Sequence, residues 1–121
     1  MKRDMELVRK ILMVLAEHEE ESFVGRLNID GYNNEIVDYH ISIMLDGGLL
    51  TGRSQRGDDR LLCNDIKISW LGNDLLEAIK NDTTWEKMKT FAKSKGLNIS
   101  DIPVEMLKEI AISVVRSIIG S

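Results

Sequence analysis

The sequence predicts an α+β fold in which a helix, a strand, a helix and two strands are followed by further helices. Three observations lead to it: apolar residues at helical spacing over residues 3–19 and 34–46, a Gly47-Gly48 stop running into strand-like residues, and a wide apolar arc on the terminal helix.

In the first helix Leu7, Val8, Ile11, Leu12 and Leu15 form one stripe, with Arg9, Lys10 and Glu17 on the other side. The acidic run 17–21 ends it, because carboxylates at a helix C-terminus oppose the macrodipole and repel one another. Residues 23–29, with Val24, Leu27 and Ile29, suit a short strand. The Asp30-Gly31-Tyr32-Asn33-Asn34 turn follows, and Asn33 or Asn34 is the expected N-cap of the next helix. That helix, residues 34–46, places Val37, Ile41, Met44 and Leu45 on its core face. Its polar positions are Asn34, Glu35, Asp38, Ser42 and Asp46, all read as exposed. Gly47-Gly48 closes it, since glycine accepts the left-handed conformation a C-cap needs.

Leu49-Leu50-Thr51 and residues 65–69 read as two short strands, with the polar segment 52–60 as a long mobile hairpin tip. Ser69 is the expected cap of a helix over 70–80. Thr83 and Glu86 have the spacing of a capping box for a helix that Gly96 closes. Ser100 or Asp101 is expected to cap the last helix, with Pro103 tolerated in its first turn. Trp70 and Trp85 are read as core or interface anchors.

The run from His40 to Leu50 resembles the recognition helix and wing of winged-helix proteins, whose local H-L-x-x-L-x-x-x-G-L pattern is matched by His40, Ile41, Met44, Gly48 and Leu49. The resemblance implies a winged helix-turn-helix-like domain (helix-strand-helix-strand-strand) with additional C-terminal helices. A wider set of segments is similar to an uncharacterised bacterial family, domain of unknown function 2513, whose members occur often in prophages. These segments are Met1-Lys2-Arg3-Asp4-Met5, Gly31-Tyr32, Tyr39-His40, Ser69-Trp70-Leu71-Gly72 and residues 78–85. Ser69 stands where many relatives have Thr, and Leu71-Gly72 where Glu-Gly is common; neither change disturbs a cap or a turn. This resemblance implies the fold and a bacterial or prophage origin, and it brings no catalytic residue.

A chain of 121 residues, 43% hydrophobic and 30% charged, is read as a single domain, 1–121, with a winged-helix-like core over 1–82 and a C-terminal helical extension over 83–121. One cysteine and two histidines argue against a disulfide framework or a structural zinc. A reducing, cytoplasmic location and the absence of a membrane span complete the expectation. No metal, cofactor or catalytic set is expected. His40 and Tyr39 lack a nucleophile pattern, and such a histidine is more often a hydrogen-bonded structural group bridging helix and sheet.

With 16 basic against 20 acidic residues the net charge is −4, so binding of nucleic acid has to be local. The expected arrangement presents Asn33, Asn34, Tyr39 and Ser42 to bases, and Arg53, Arg56 and Arg60 to the phosphates of double-stranded DNA. Against this, residues 27–50 hold four carboxylates and no lysine or arginine. The arginines are equally readable as a solvated loop. The cluster Lys80, Lys87, Lys89, Lys93 and Lys95 is read first as a solubilising face and second as a phosphate track.

On the terminal helix, Val104, Met106, Leu107, Ile110, Ala111, Val114, Val115 and Ile118 span an arc wider than one packing partner requires, with Ile112 outside it. A homodimer through Leu107, Ile110, Val114, Val115 and Ile118 is therefore expected. The alternative function is a protein-interaction module that docks a protein partner through the acidic helix face and this terminal helix.

Overall fold

The computed structural model describes residues 1–18 and 20–120. It is a mixed α+β structure with five α-helices and a three-stranded antiparallel sheet among the described residues. Two compact units divide the chain, Met1–Asn73 and Asp74–Ser121.

The first unit begins with α1 (Met5–Glu17), capped by the Asp4 carboxylate, which accepts from the Glu6 amide at 2.9 Å. The helix ends at His18, as the acidic run requires; Glu19 lies outside the described residues. Leu7, Val8, Ile11 and Leu12 are all at most 1% exposed, each burial contributing roughly 1.5–3 kcal/mol. Strand β1 (Phe23–Gly25) is shorter than expected. Leu27 and Ile29 are nonetheless buried, as apolar points of an irregular segment leading to the turn.

Helix α2 (Asn34–Asp46) has the expected bounds, and Asn33 is its cap, accepting from the Ile36 amide at 2.9 Å. Its C-terminus closes as a Schellman motif: the Gly48 amide bonds Leu45 O at 3.2 Å and the Leu49 amide bonds Met44 O at 2.9 Å. Gly48 takes the left-handed φ of +80° that this geometry demands.

Strands β2 (Leu50–Arg56) and β3 (Leu61–Ile68) pair antiparallel, with β3 central in the order β1-β3-β2. The long mobile tip expected over 52–60 is corrected: Arg53, Ser54, Gln55 and Arg56 pair with Asn64, Cys63, Leu62 and Leu61. The hairpin connection is residues 57–60, tied by the Gly57 amide to Arg60 O at 2.8 Å. Polar composition suggested a loop, whereas this hairpin is polar because β2 is exposed from Thr51 onward.

β3 carries one extra residue against both neighbours between Cys63 and Ile66. Asp65 sits there at φ 57°, and the burial phase switches from Leu61 and Cys63 to Ile66. Opposite the bulge, Gly52 has φ +121°, and an added Cβ would collide with Asp65 O. Helix α1 packs against β3 and α2, and α2 packs against β2.

Helix α3 (Trp70–Ile79) runs across the division between units. Ser69 caps it, its hydroxyl accepting from the Gly72 amide at 2.9 Å. In the second unit, α4 (Asp82–Ser94) is capped by Asn81, not Thr83: the Asn81 carboxamide reaches the Thr84 amide at 2.9 Å. Gly96 closes α4 at φ +75°, with the Leu97 amide on Ala92 O at 2.9 Å. Ser100 and Asp101 belong to a short 3₁₀ turn (Ile99–Asp101), and α5 (Val104–Ile119) starts after Pro103 without a side-chain cap. Trp85 and Met88 of α4 and Leu107, Ala111 and Val114 of α5 form the centre of this unit.

Candidate nucleic-acid interface

Burial on α2 separates its faces. Val37, His40, Ile41 and Met44 point inward, and Glu35, Tyr39, Ser42 and Asp46 recur at four-three-four spacing on the outward side. Tyr39 and Ser42 are half-buried, Glu35 and Asp46 exposed, and no cation stands among them. Asn34 is exposed in the first turn, and Asn33 is exposed with its carboxamide oxygen engaged in the cap.

Asp38, read from sequence as exposed, is 2% exposed and internal. Arg60 reaches it across 22 positions of sequence, with Nε to Oδ2 at 3.0 Å and Nη2 to Oδ1 at 3.1 Å. The same guanidinium donates to Leu27 O at 2.7 Å and Asn28 Oδ1 at 3.1 Å, and Asp38 also accepts from the Leu61 amide at 2.9 Å. The hydrogen bond to Asp38 holds the Arg60 guanidinium above its ordinary pKa. Arg60 is therefore a strut joining α2, β3 and the segment after β1, and not the free phosphate ligand expected from its place in a polar run. This pair also cancels one of the four carboxylates counted over residues 27–50.

The remaining hairpin arginines are exposed and separate by face. Arg53 pairs with Asn64 and Gln55 with Leu62, on the sheet side that carries exposed Val24 and Leu62. Arg56 pairs with buried Leu61, on the side occupied by the helices. An odd separation along a strand makes this division unavoidable. Arg56 shares the α2 side of the sheet, and Arg53 does not. Arg53, Gln55, Leu62, Asn64 and Val24 instead line an open depression of about 520 Å³.

The groups that invite a catalytic reading are held in the structure. His40 is fully buried, with Nδ1 donating to Ile36 O at 2.9 Å and Nε2 accepting from the Asp4 amide at 2.8 Å. It bridges α2 to the cap of α1, a helix-to-helix link in place of the helix-to-sheet link expected. Cys63 is 1% exposed, and burial pushes its thiol up to about 11. Trp85 is a core residue, whereas Trp70 is 87% exposed and not part of the core. It stands beside the end of α2, where the Ser69 hydroxyl donates to Gly48 O.

The expected dimer residues also divide. Leu107 and Val114 are buried in their own chain, Ile110 is half-buried, and only Val115 and Ile118 are exposed. α5 uses Leu107 and Val114 to pack its own unit, which leaves them little surface for a second subunit. The terminal arc resolves into an inner stripe at Leu107, Ala111 and Val114 and exposed apolar residues beside it. No described helix is long and apolar enough to cross a membrane.

A family model described as "Hypothetical protein (DUF2513)" matches residues 2–98, a span that contains α1 to α4 and all three strands. An uncharacterized protein of Haemophilus influenzae is 30% identical over 123 residues, covering 99% of this chain and 100% of that protein. No solved structure matches. The match over most of the chain, with a relative aligned along its full length, shows that the chain belongs to the DUF2513 family, a family of unknown function.

Proposed function

We propose that this is a non-enzymatic winged-helix protein that binds double-stranded DNA in bacterial or prophage gene regulation. The helix-strand-helix-strand-strand order with β3 central is compatible with a helix and wing on one scaffold. The observation that carries the reading is the placement of exposed Arg56 on the α2 side of a projecting hairpin, with the Asp38 charge already neutralised from within. Asn34, Tyr39 and Ser42 then offer neutral donors and acceptors for base edges. Residues 26–33 run as irregular backbone and a turn, so α2 would meet DNA without a preceding helix laid across the phosphates. Affinity therefore depends heavily on the wing.

Gel retardation of mixed genomic fragments at low salt tests this, since phosphate contacts are strongest there. Arg56→Ala should weaken binding and lower the salt slope by about one, as expected for one lost phosphate contact, while Arg53→Ala has the smaller effect. Absence of retardation at low salt removes the DNA reading. Retention that ignores both substitutions removes the wing assignment.

A second reading, a protein-docking module, is favoured by one specific pairing of features. Glu35 and Asp46 give the outward face of α2 an acidic character, and the nearly fully exposed Trp70 stands at its end. Such a surface suits a basic protein segment, with Trp70 as anchor.

A further inference from the structure

We propose that α5 is the contact between two copies of this chain, paired antiparallel through Ile112, Val115 and Ile119. The inner stripe of α5 leaves these three outside their own unit, at 52%, 40% and 78% exposure. They follow one another at spacings of three and four, so they lie along a single seam of the helix surface. Lys108, four positions before Ile112, continues the seam and is anchored sideways to Asp74 at 3.6 Å. The seam borders a groove of about 440 Å³ in which Ala78 and Ala111 leave room beside Ile112, Val115 and Arg116. A helix of another copy fits there without displacing any residue of the inner stripe.

Charge selects the occupant and its direction. Glu109 and Arg116 flank the seam on the same side, seven residues apart, and neither has an ion-pair partner among the described residues. When two α5 helices run antiparallel with Ile112 of one opposite Val115 of the other, Glu109 of each comes within two residues, about 3 Å of helix rise, of the level of Arg116 of its mate, a gap their long side chains span. A two-fold axis makes this happen twice. A parallel arrangement sets the same two charges against Val104 and Ala111, matching neither with its opposite. The surface is thus self-complementary in apolar seam and charge alike, which is the requirement for an isologous contact. The pairing does not depend on whether the chain binds DNA.

Sedimentation equilibrium of the full chain across a wide concentration range tests the proposal, with far-UV circular dichroism as the folding control. The wild-type chain should show a reversible monomer–dimer equilibrium. Ile112→Glu, at an exposed position, should keep the helical spectrum and weaken the dimer by about a hundredfold or more, because two apolar contacts are lost and two charges are forced into the seam. Glu109→Arg and Arg116→Glu should each weaken it by about tenfold, and the two together should recover near wild-type association. A wild-type chain that stays monomeric at every concentration overturns the proposal. So does a dimer indifferent to Ile112→Glu, and a combined charge swap no tighter than either single change rejects the antiparallel register.

Discussion

Replacing Arg60 by alanine removes four hydrogen bonds at once and leaves the Asp38 carboxylate with only the Leu61 amide. An exposed ion pair contributes about 0.2–1 kcal/mol, but here the two side chains are 12% and 3% exposed, so solvent cannot replace the lost partner. Removing one member of a buried pair costs about 3–5 kcal/mol, most of it the penalty of an uncompensated charge. With a urea dependence of about 1.5 kcal/mol per molar, the unfolding midpoint should fall by about 2–3 M. Asp38→Ala should cost a comparable amount, and the double variant should cost clearly less than the sum, with a coupling of about 2 kcal/mol. Urea unfolding followed by far-UV circular dichroism reads all three. An Arg60→Ala chain within about 0.5 kcal/mol of wild type would refute the strut, since that is the range of an ordinary surface substitution. Unchanged stability together with lost DNA retention would return Arg60 to phosphate contact.

Cys63 should resist thiol reagents at pH 8 in the folded chain and react freely in urea, because burial raises its pKa to about 11. The folded state disfavours the thiolate, so stability is intact below about 9 and declines as pH rises toward about 11. A pH series of unfolding midpoints that stays flat across that interval would contradict this. The two tryptophans should behave oppositely: Trp85→Ala should cost about 3–5 kcal/mol, whereas Trp70→Ala should stay within about 0.5 kcal/mol, both read by urea unfolding.

The parts of the fold that were legible in the sequence are those governed by neighbours a few residues away. Asn33 reaches the amide of Ile36, and Gly48 closes α2 through Leu45. Periodicity similarly identified Leu7, Val8, Ile11 and Leu12 as the buried stripe of α1, although Leu15 is only half-buried and Arg9, expected on the other side, is 7% exposed. Where two local signals competed, the choice failed. Asn81 caps α4 although Thr83 and Glu86 have capping-box spacing, and an extended Pro103 starts α5 although Ser100 and Asp101 offer better caps. Composition misled as well, because a strand whose side chains stay exposed beyond its first residue has the composition of a loop, as β2 shows.

For the candidate site, residue chemistry alone identified Asn34, Tyr39, Ser42, Arg53 and Arg56 as polar or basic groups near α2 and the hairpin. It could not assign Arg60 and Asp38, since a charge in a polar segment looks solvent-facing until a partner 22 positions away is brought beside it. Nor could it divide Arg53 from Arg56, which needs the strand register, or place Trp70 outside and Trp85 inside, although both lie at helix starts. Helix ends, turns and apolar stripes follow from short-range sterics and hydrogen bonding, which are written in consecutive residues. Which charges are neutralised and which apolar side chains remain outside are consequences of long-range burial, where desolvation makes a distant partner decisive. Only folding brings those partners together.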